Sequence, residues 1–416
     1  MHILLIHQAF ASIDEPGGTR HHELSRHLAG CGHSVTVITS PISYLTGRTR
    51  TQAVRWVEKE ERDPGVTILY AYTYPEFHRS FFHRMVAFLS FMISSFFIGL
   101  GVNRVDLVWG TSPPIFQAGT AWALARLKRI PFLFEIRDLW PAFAIQVGVL
   151  RQPMLIRAAE WFERFLYRHA DQILINSPGF ADHVMERGAR HVEILPNGAD
   201  VAMFDLIADG VEFRTAHNLV GKFIALYAGA HGLSNDLGIL LEAANLLKDR
   251  PEIVIVLLGD GKEKPTLQAR ASELSLTNVL FVPPVPKLQM PDVLAASNAC
   301  IAILKPIPLY ATVYPNKVFD YMAAAKPVIL AINGVIQQVI ESARAGLSIP
   351  PGDPASMAQA IRFLADHPEE SRAMGSKGRR CVEESFDRSL LAEKLLVILE
   401  QLVKEYNPPR AEQKVT

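Results

Sequence analysis

Short apolar runs alternate with longer amphipathic stretches along the whole chain. In the first half, runs at 3–7, 34–39, 107–109, 132–136 and 172–175 read as strands. Helical patterns lie between them, such as 20–29, where Leu24 and Leu28 sit one turn apart and Gly30 supplies the stop. The second half repeats this grammar, with strands predicted at 223–227, 253–258, 279–282, 300–304 and 328–332. Helices are predicted there at 238–248, 262–273 and 291–296, and a last one at 389–405. Apolar strands separated by helices imply parallel sheets with right-handed crossovers.

At 416 residues the chain is too long for one ordinary core. The expected architecture is α/β: two doubly wound Rossmann-like domains facing across a cleft. The join falls in 196–213, where Pro196-Asn197-Gly198-Ala199-Asp200 supplies turn chemistry. This divides the chain into 1–200, 201–385, a C-terminal helix over 386–406 directed back toward the first domain, and a polar tail at 407–416.

One segment breaks the pattern. Residues 85–103 carry no charge and are rich in Phe and Leu, and a basic stretch, His78-Arg79-Ser80-Phe81-Phe82-His83-Arg84, precedes them. A helix lying in a membrane interface, a helix buried on a sheet face and a true span all fit this composition.

Charge narrows the function. Lys+Arg and Asp+Glu both number 42, which argues against a nucleic-acid partner. Cys31, Cys300 and Cys381 stand at unrelated spacings, so neither a disulfide framework nor a zinc site is expected, and a reducing cytoplasm fits. The first apolar run is too short, and lacks the basic flank, for a signal peptide.

Candidate chemistry concentrates at strand ends. The run from Tyr314-Pro315-Asn316-Lys317 through Asp320 to Lys326-Pro327 reads as a polar loop, a short helix and a break before a buried strand. A lysine at a helix start suits a diphosphate, and a carboxylate one turn on can accept from ribose hydroxyls. An ordinary βα unit with solvated polar residues gives the same pattern. Three glycine loops also follow strands, at Gly17-Gly18, at Gly229-Ala230-His231-Gly232 and at Gly259-Asp260-Gly261 with Lys264 after it. Paired glycines let backbone approach a ligand closely, although tight turns need them too. None is GxGxxG, so a dinucleotide is poorly supported. Glu135-Ile136-Arg137-Asp138-Leu139-Trp140-Pro141 ends a buried strand and presents a carboxylate and an arginine either to a substrate or to each other. No cluster has metal-ligand spacing, since the adjacent His21 and His22 cannot share a helix face.

In order, Gly17-Gly18-Thr19-Arg20, Gly32-His33-Ser34-Val35-Thr36-Val37, Leu195-Pro196-Asn197-Gly198-Ala199-Asp200, Tyr227-Ala228-Gly229 and 315–327 resemble the retaining GT-B glycosyltransferases of family 4. Glu135 to Pro141 with Pro315-Asn316-Lys317 looks like the bacterial polysaccharide branch, which includes colanic-acid, O-antigen and L-fucosaminyl transferases. The resemblance implies a nucleotide-sugar donor, preferably UDP-linked, in the second domain and a lipid-diphosphate-linked saccharide acceptor in the first. It implies no metal and no cofactor. Arg137, Asp138 and Lys317 are the expected catalytic residues. Donor contacts are expected from Gly17, Gly18, Gly229, His231, Gly232, Gly259, Gly261, Lys264, Tyr310, Thr312, Tyr314, Pro315, Asn316, Lys317 and Asp320. Acceptor contacts are expected from Arg20, Glu135, Arg137, Asp138 and Trp140. Thr312 replaces the family's first glutamate, and His231 with Lys317 stands in for its usual diphosphate-binding pair. Lipid-linked acceptors would give 78–103 a purpose, docking on the inner face of the plasma membrane. Two other readings are an isomerase of the nucleotide-sugar 2-epimerase kind and a non-catalytic nucleotide-sugar-binding protein.

Overall fold

A computed structural model describes residues 1–406 except 16, 44–46, 48, 51–54, 77–78 and 205–207. The tail at 407–416, and His78 of the basic flank, lie outside the described residues. The first sheet holds β1 (His2–Ile6), β2 (Ser34–Thr39), β3 (Val57–Asp63), β4 (Val66–Ala71), β5 (Leu107–Ser112), β6 (Phe132–Ile136), β7 (Gln172–Ile175) and β8 (Val192–Ile194). Its spatial order is β3-β4-β2-β1-β5-β6-β7-β8. The second holds β9 (Phe223–Ala228), β10 (Ile253–Leu258), β11 (Val279–Val282), β12 (Ala299–Ile303), β13 (Val328–Ala331) and β14 (Gly346–Ser348), ordered β11-β10-β9-β12-β13-β14. Both are the doubly wound sheets that the apolar runs predict, and every strand expected from those runs is present.

One pairing departs from the parallel rule. β3 runs antiparallel to β4, with an irregularity between Glu61 and Asp63. Its sequence, VEKEERD, is charged throughout and none of its residues is buried. Such an edge strand gives no hydrophobic signal, and its charges discourage pairing with another chain.

Helices α1 (Arg20–Gly30), α2 (Phe81–Gly101), α3 (Phe116–Lys128), α4 (Ala142–Gln146), α5 (Pro153–His169) and α6 (Ala181–Glu186) accompany the first sheet. With the second come α7 (Val211–Ala216), α8 (Gly238–Leu246), α9 (Lys264–Glu273), α10 (Met290–Ala296), α11 (Asn316–Ala323), α12 (Val335–Ala343), α13 (Pro354–Asp366) and α14 (Pro368–Ser385). The final helix, α15 (Arg388–Tyr406), crosses back: Leu391, Leu395, Leu399 and Leu402 share a core with Leu24 and Leu28 of α1 and with β1.

Among the three readings of the uncharged segment, α2 sits between two. Ser80 caps its start, its hydroxyl accepting from the His83 backbone N–H. One face packs on α3, burying Ala87 and Phe91 and bringing Gly99 so near Leu124 that a Cβ would meet its methyl at 2.5 Å. Ser94 and Ser95 are buried there too, donating to the carbonyls of Tyr72 and Phe91. The opposite face exposes Phe82, Ile93 and Phe97 by 71%, 52% and 58%. By length and composition alone, residues 82–101 are apolar enough to cross a membrane.

Candidate active site

The two domains meet where the ends of the first sheet face the segment leading into α11. Ser177 donates to the Thr312 carbonyl, Asn197 Nδ2 to the Tyr314 carbonyl at 2.7 Å, and the Phe143 and Tyr310 rings stack at 5.4 Å. Beside these contacts lies a cavity of about 770 Å³. Arg137, Asp138, Trp140 and Asn176 line it from the first domain, and Ser234, Tyr310, Tyr314, Pro315 and Asn316 from the second.

Asp138 is the titratable carboxyl on the first side. Burial raises its carboxyl to about 6, and the neighbouring Arg137 only partly opposes this. Arg137 is steadied from below, its Nε donating to the Ser112 carbonyl at 3.2 Å. Trp140 packs edge-on against Phe116.

Glu135 and Arg20 require a correction. They were expected to touch an acceptor, yet Glu135 is wholly buried and Arg20 nearly so. Arg20 Nε donates to Glu135 at 3.0 Å, Trp109 Nε1 donates at 3.1 Å, and His21 Nε2 lies 2.7 Å away. Arg20 also holds the carbonyls of Leu195 and Pro196 at 2.8 and 2.6 Å, which fixes the start of the interdomain join. Burial alone would raise the Glu135 carboxyl, but the His21 and Arg20 partners outweigh it and hold it well below the usual range. Burial lowers His21 to about 4 against the pull of Glu135. A carboxylate held by three partners and wholly buried organises the domain and is out of a substrate's reach.

On the second side, a cluster forms where β9 and β10 end; none of its residues lines the cavity, which touches α11 only at Asn316. Lys317, in the first turn of α11, sets its Nζ 3.8 Å from the centroid of the Tyr227 ring. Burial lowers this amine to about 7. The loops after β9 and β10 lie backbone against backbone: a Cβ on Gly259 would meet the Gly229 carbonyl at 1.9 Å, and one on Gly261 the His231 carbonyl at 2.4 Å. Only glycine fits, and both also have positive φ. His231 is enclosed by these loops, its backbone N–H donating to the Asp260 carbonyl at 2.8 Å. Burial lowers its ring to about 4, and neither ring nitrogen has a protein partner.

Other expected donor residues are engaged elsewhere. Lys264 turns back onto the Gly259 carbonyl at 2.8 Å rather than reaching outward. The Thr312 hydroxyl donates to the Leu309 carbonyl of its own turn at 2.7 Å. Tyr310 donates to Ser234, and the Tyr314 ring packs against Phe319 and Phe386. Gly232 meets only ordinary contacts and Gly18 open space, so neither position demands glycine for room, while Gly17 holds a positive φ. Asp320 does not line the cavity: it pairs with Lys287 at 2.6 Å, leaving Oδ1 buried without a partner. Burial raises its carboxyl against the pull of Lys287. The ribose contact expected of it would fall to Oδ1, which is buried away from the cavity.

Two residues were not singled out from the sequence. Lys287 is an isolated lysine whose Nζ also lies 5.4 Å from the Phe204 ring. Arg388, at the start of α15, pairs with Glu23 of α1 at 2.6 Å, donates to the Gly198 carbonyl and reaches Asn316 Oδ1 at 3.5 Å. One side chain thus touches the first domain, the join and the start of α11. Neither residue carries a local motif. Among the described residues, no three His, Cys, Asp or Glu side chains gather as a metal centre needs.

Two family models match separate stretches of the chain. Residues 17–198 match the Glycosyl transferase 4-like domain, and residues 222–367 match Glycosyl transferases group 1. The putative colanic acid biosynthesis glycosyl transferase WcaI of Escherichia coli K12 is 27% identical over 314 residues, spanning 72% of this chain and 76% of that protein. Sucrose-phosphate synthase of Thermosynechococcus elongatus superposes with a TM-score of 0.77 at 19% identity, over 97% of this chain and 99% of that one. HepE of Anabaena, solved in complex with UDP-glucose, gives 0.71 at 16% identity, over 96% and 100%. At those identities the structures speak for the fold.

Proposed function

We propose, for a chain built from glycosyltransferase family domains in the GT-B arrangement, that it moves a sugar from a nucleotide-diphosphate donor to a lipid-linked saccharide in surface-polysaccharide synthesis. One observation carries this reading: Lys317, whose amine fills the space Gly229 leaves, directly follows Asn316, which lines a cavity that also presents Arg137 and Asp138 from the opposite domain. The barrier to glycosyl transfer is departure of a nucleoside diphosphate while positive charge develops on the sugar. A lysine and the free N–H groups at a helix start meet that negative charge without reorganising. Asp138, ionised above about pH 6, stands where an acceptor hydroxyl would enter. UDP is the preferred nucleotide, and the sugar is N-acetyl-L-fucosamine or another hexosamine or deoxysugar. Attack on the face the diphosphate leaves retains the anomeric configuration, needs no carboxylate pair and draws on no metal. The exposed apolar face of α2 supports peripheral docking on the inner membrane surface.

A non-catalytic nucleotide-sugar-binding role has one observation in its favour, the Thr312 hydroxyl turned into its own turn at the position where the sequence resemblance implies a glutamate. Two measurements test both readings. Thermal unfolding with UDP, GDP and dTDP, with and without EDTA, should show a shift with one base that EDTA leaves intact. A hundredfold excess over Kd adds about 2.7 kcal/mol. No shift with any base defeats the donor site, and a shift without any glycoside product favours the binding role.

A further inference from the structure

The cavity beside Asp138 and Asn316 extends well beyond any reacting group. Its wall runs outward between α2, the start of α3 and α5, where Phe88, Phe116 and Phe162 stack in succession with centroids 5.7 and 6.4 Å apart. It continues to Val149 and Leu155, which line the cavity and are also 47% and 44% exposed. The apolar wall therefore reaches the surface. Just outside stand Phe82, one turn before Met85 of the wall, and Met154, beside Leu155, exposed by 71% and 82%. Most polar and charged lining side chains lie toward the interdomain end, at Arg137, Asp138, Asn176 and Asn316 among others, while Arg84 of α2, next to Met85, puts one charged group on the outer wall.

A site for a free saccharide needs polar groups along its walls, because each sugar hydroxyl taken from water must find a partner. Apart from Arg84, this passage offers aromatic and aliphatic carbon instead, and its volume falls within the range of small-molecule pockets. We propose that it holds the hydrocarbon chain of the acceptor: a single long chain, drawn from the membrane between α2 and α5, whose diphosphate-linked sugar reaches Asp138. The inference rests on the glycosyltransferase reading for what happens at the inner end, but the chain's occupancy is measurable without any transfer. Continuity argues for this occupant over a flat lipid surface, since one apolar wall joins the exposed residues outside to the reactive carboxyl within.

The test uses geranyl, farnesyl and geranylgeranyl diphosphates below their micelle concentrations, with inorganic diphosphate as the chainless reference. Titration calorimetry on the full chain reads affinity against chain length. Each buried methylene strengthens binding roughly fourfold, so a steep rise of at least about tenfold from the shortest to the longest chain is expected even with partial burial. Val149→Glu and Leu155→Glu put a carboxylate in the mouth at exposed positions that a folded protein tolerates, and each should flatten that rise. Affinity independent of chain length in the unaltered protein overturns the proposal, as does a rise that neither variant changes, because the hydrocarbon then lies elsewhere. Nucleotide shifts measured on the same samples separate the two claims. A chain-length effect without any nucleotide shift sinks the transferase reading and leaves the passage standing, and the reverse sinks the passage alone.

Discussion

A Cβ atom on Gly229 would lie 2.5 Å from the ammonium nitrogen of Lys317. The two positions are therefore matched: the lysine occupies the space the glycine leaves empty. Gly229 also holds φ at +150°, a conformation other residues adopt only under strain. Gly229→Ala should cost stability of about 1–3 kcal/mol, displace the amine and weaken UDP binding. Lys317→Met should leave folding intact and lower kcat by about 10²–10³. Denaturation curves and steady-state rates check both, and full activity in Lys317→Met would remove that residue from the mechanism.

The same lysine makes donor binding depend on pH. Its folded value of about 7 lies below the ordinary lysine value, so the unfolded chain binds more protons between about pH 7 and 10. In the nucleotide-free protein, Lys317 thus contributes stability that grows as pH rises through that window. A bound diphosphate favours the charged amine, so affinity should fall above pH 7 and binding near pH 8 should take up a proton. Calorimetry in buffers of different ionisation enthalpy reads the uptake directly. Equal uptake in wild type and Lys317→Met would rule out this assignment.

Asp138 gives the opposite sign. Its folded value of about 6 exceeds the unfolded one, so the folded protein binds more protons between about pH 4 and 6 and loses that contribution as pH rises. Asp138→Asn removes the buried charge. Its melting temperature should exceed wild type at pH 8, by the equivalent of about 2–3 kcal/mol at most, and the gap should close near pH 4. Transfer activity should fall at the same time. A variant no more stable than wild type at pH 8 contradicts the assigned cause.

Arg388→Ala would strand Glu23, which is 8% exposed, without its partner. Losing one member of a buried pair costs roughly 3–5 kcal/mol. Adding Glu23→Gln should recover part of the loss, and a double-mutant cycle measures the coupling. A loss below about 1 kcal/mol would mean that the pair does not secure α15.

Exposed side chains on α2 should govern membrane attachment. Replacing Phe82, Ile93 and Phe97 together with serine should move the protein from sedimenting anionic vesicles to the supernatant. Unchanged co-sedimentation would exclude this face as the anchor.

Strands were legible because most are buried on both sides, which writes an unbroken apolar run into the sequence. β3 was not, because a charged edge has no such run, and β8 and β14 are three residues each. Glu135 shows where local reading fails. It lies one residue before the end of β6, on the face shared with Leu133 and Trp109 that α1 and α15 cover, whereas Arg137 and Asp138 lie past the strand and reach the cavity. The α11 segment was readable as polar loop, helix and strand, and it forms that helix. The pairing of Asp320 with Lys287 was not readable, nor was the reach of Arg388 across 72 positions to Asn316, since contacts between distant elements leave no periodic trace.

The return of α15 to the first domain also orders events during synthesis. Leu391, Leu395, Leu399 and Leu402 complete a core that begins with Ile3 and Leu5. The earliest strands to leave the ribosome have α1 on this face, but wait for nearly the whole chain before α15 completes its cover. At 5–20 residues per second that delay is roughly 20–80 s, during which part of an apolar sheet face stands open to chaperones and to other nascent chains. A chain cut before residue 388 would carry that open face permanently.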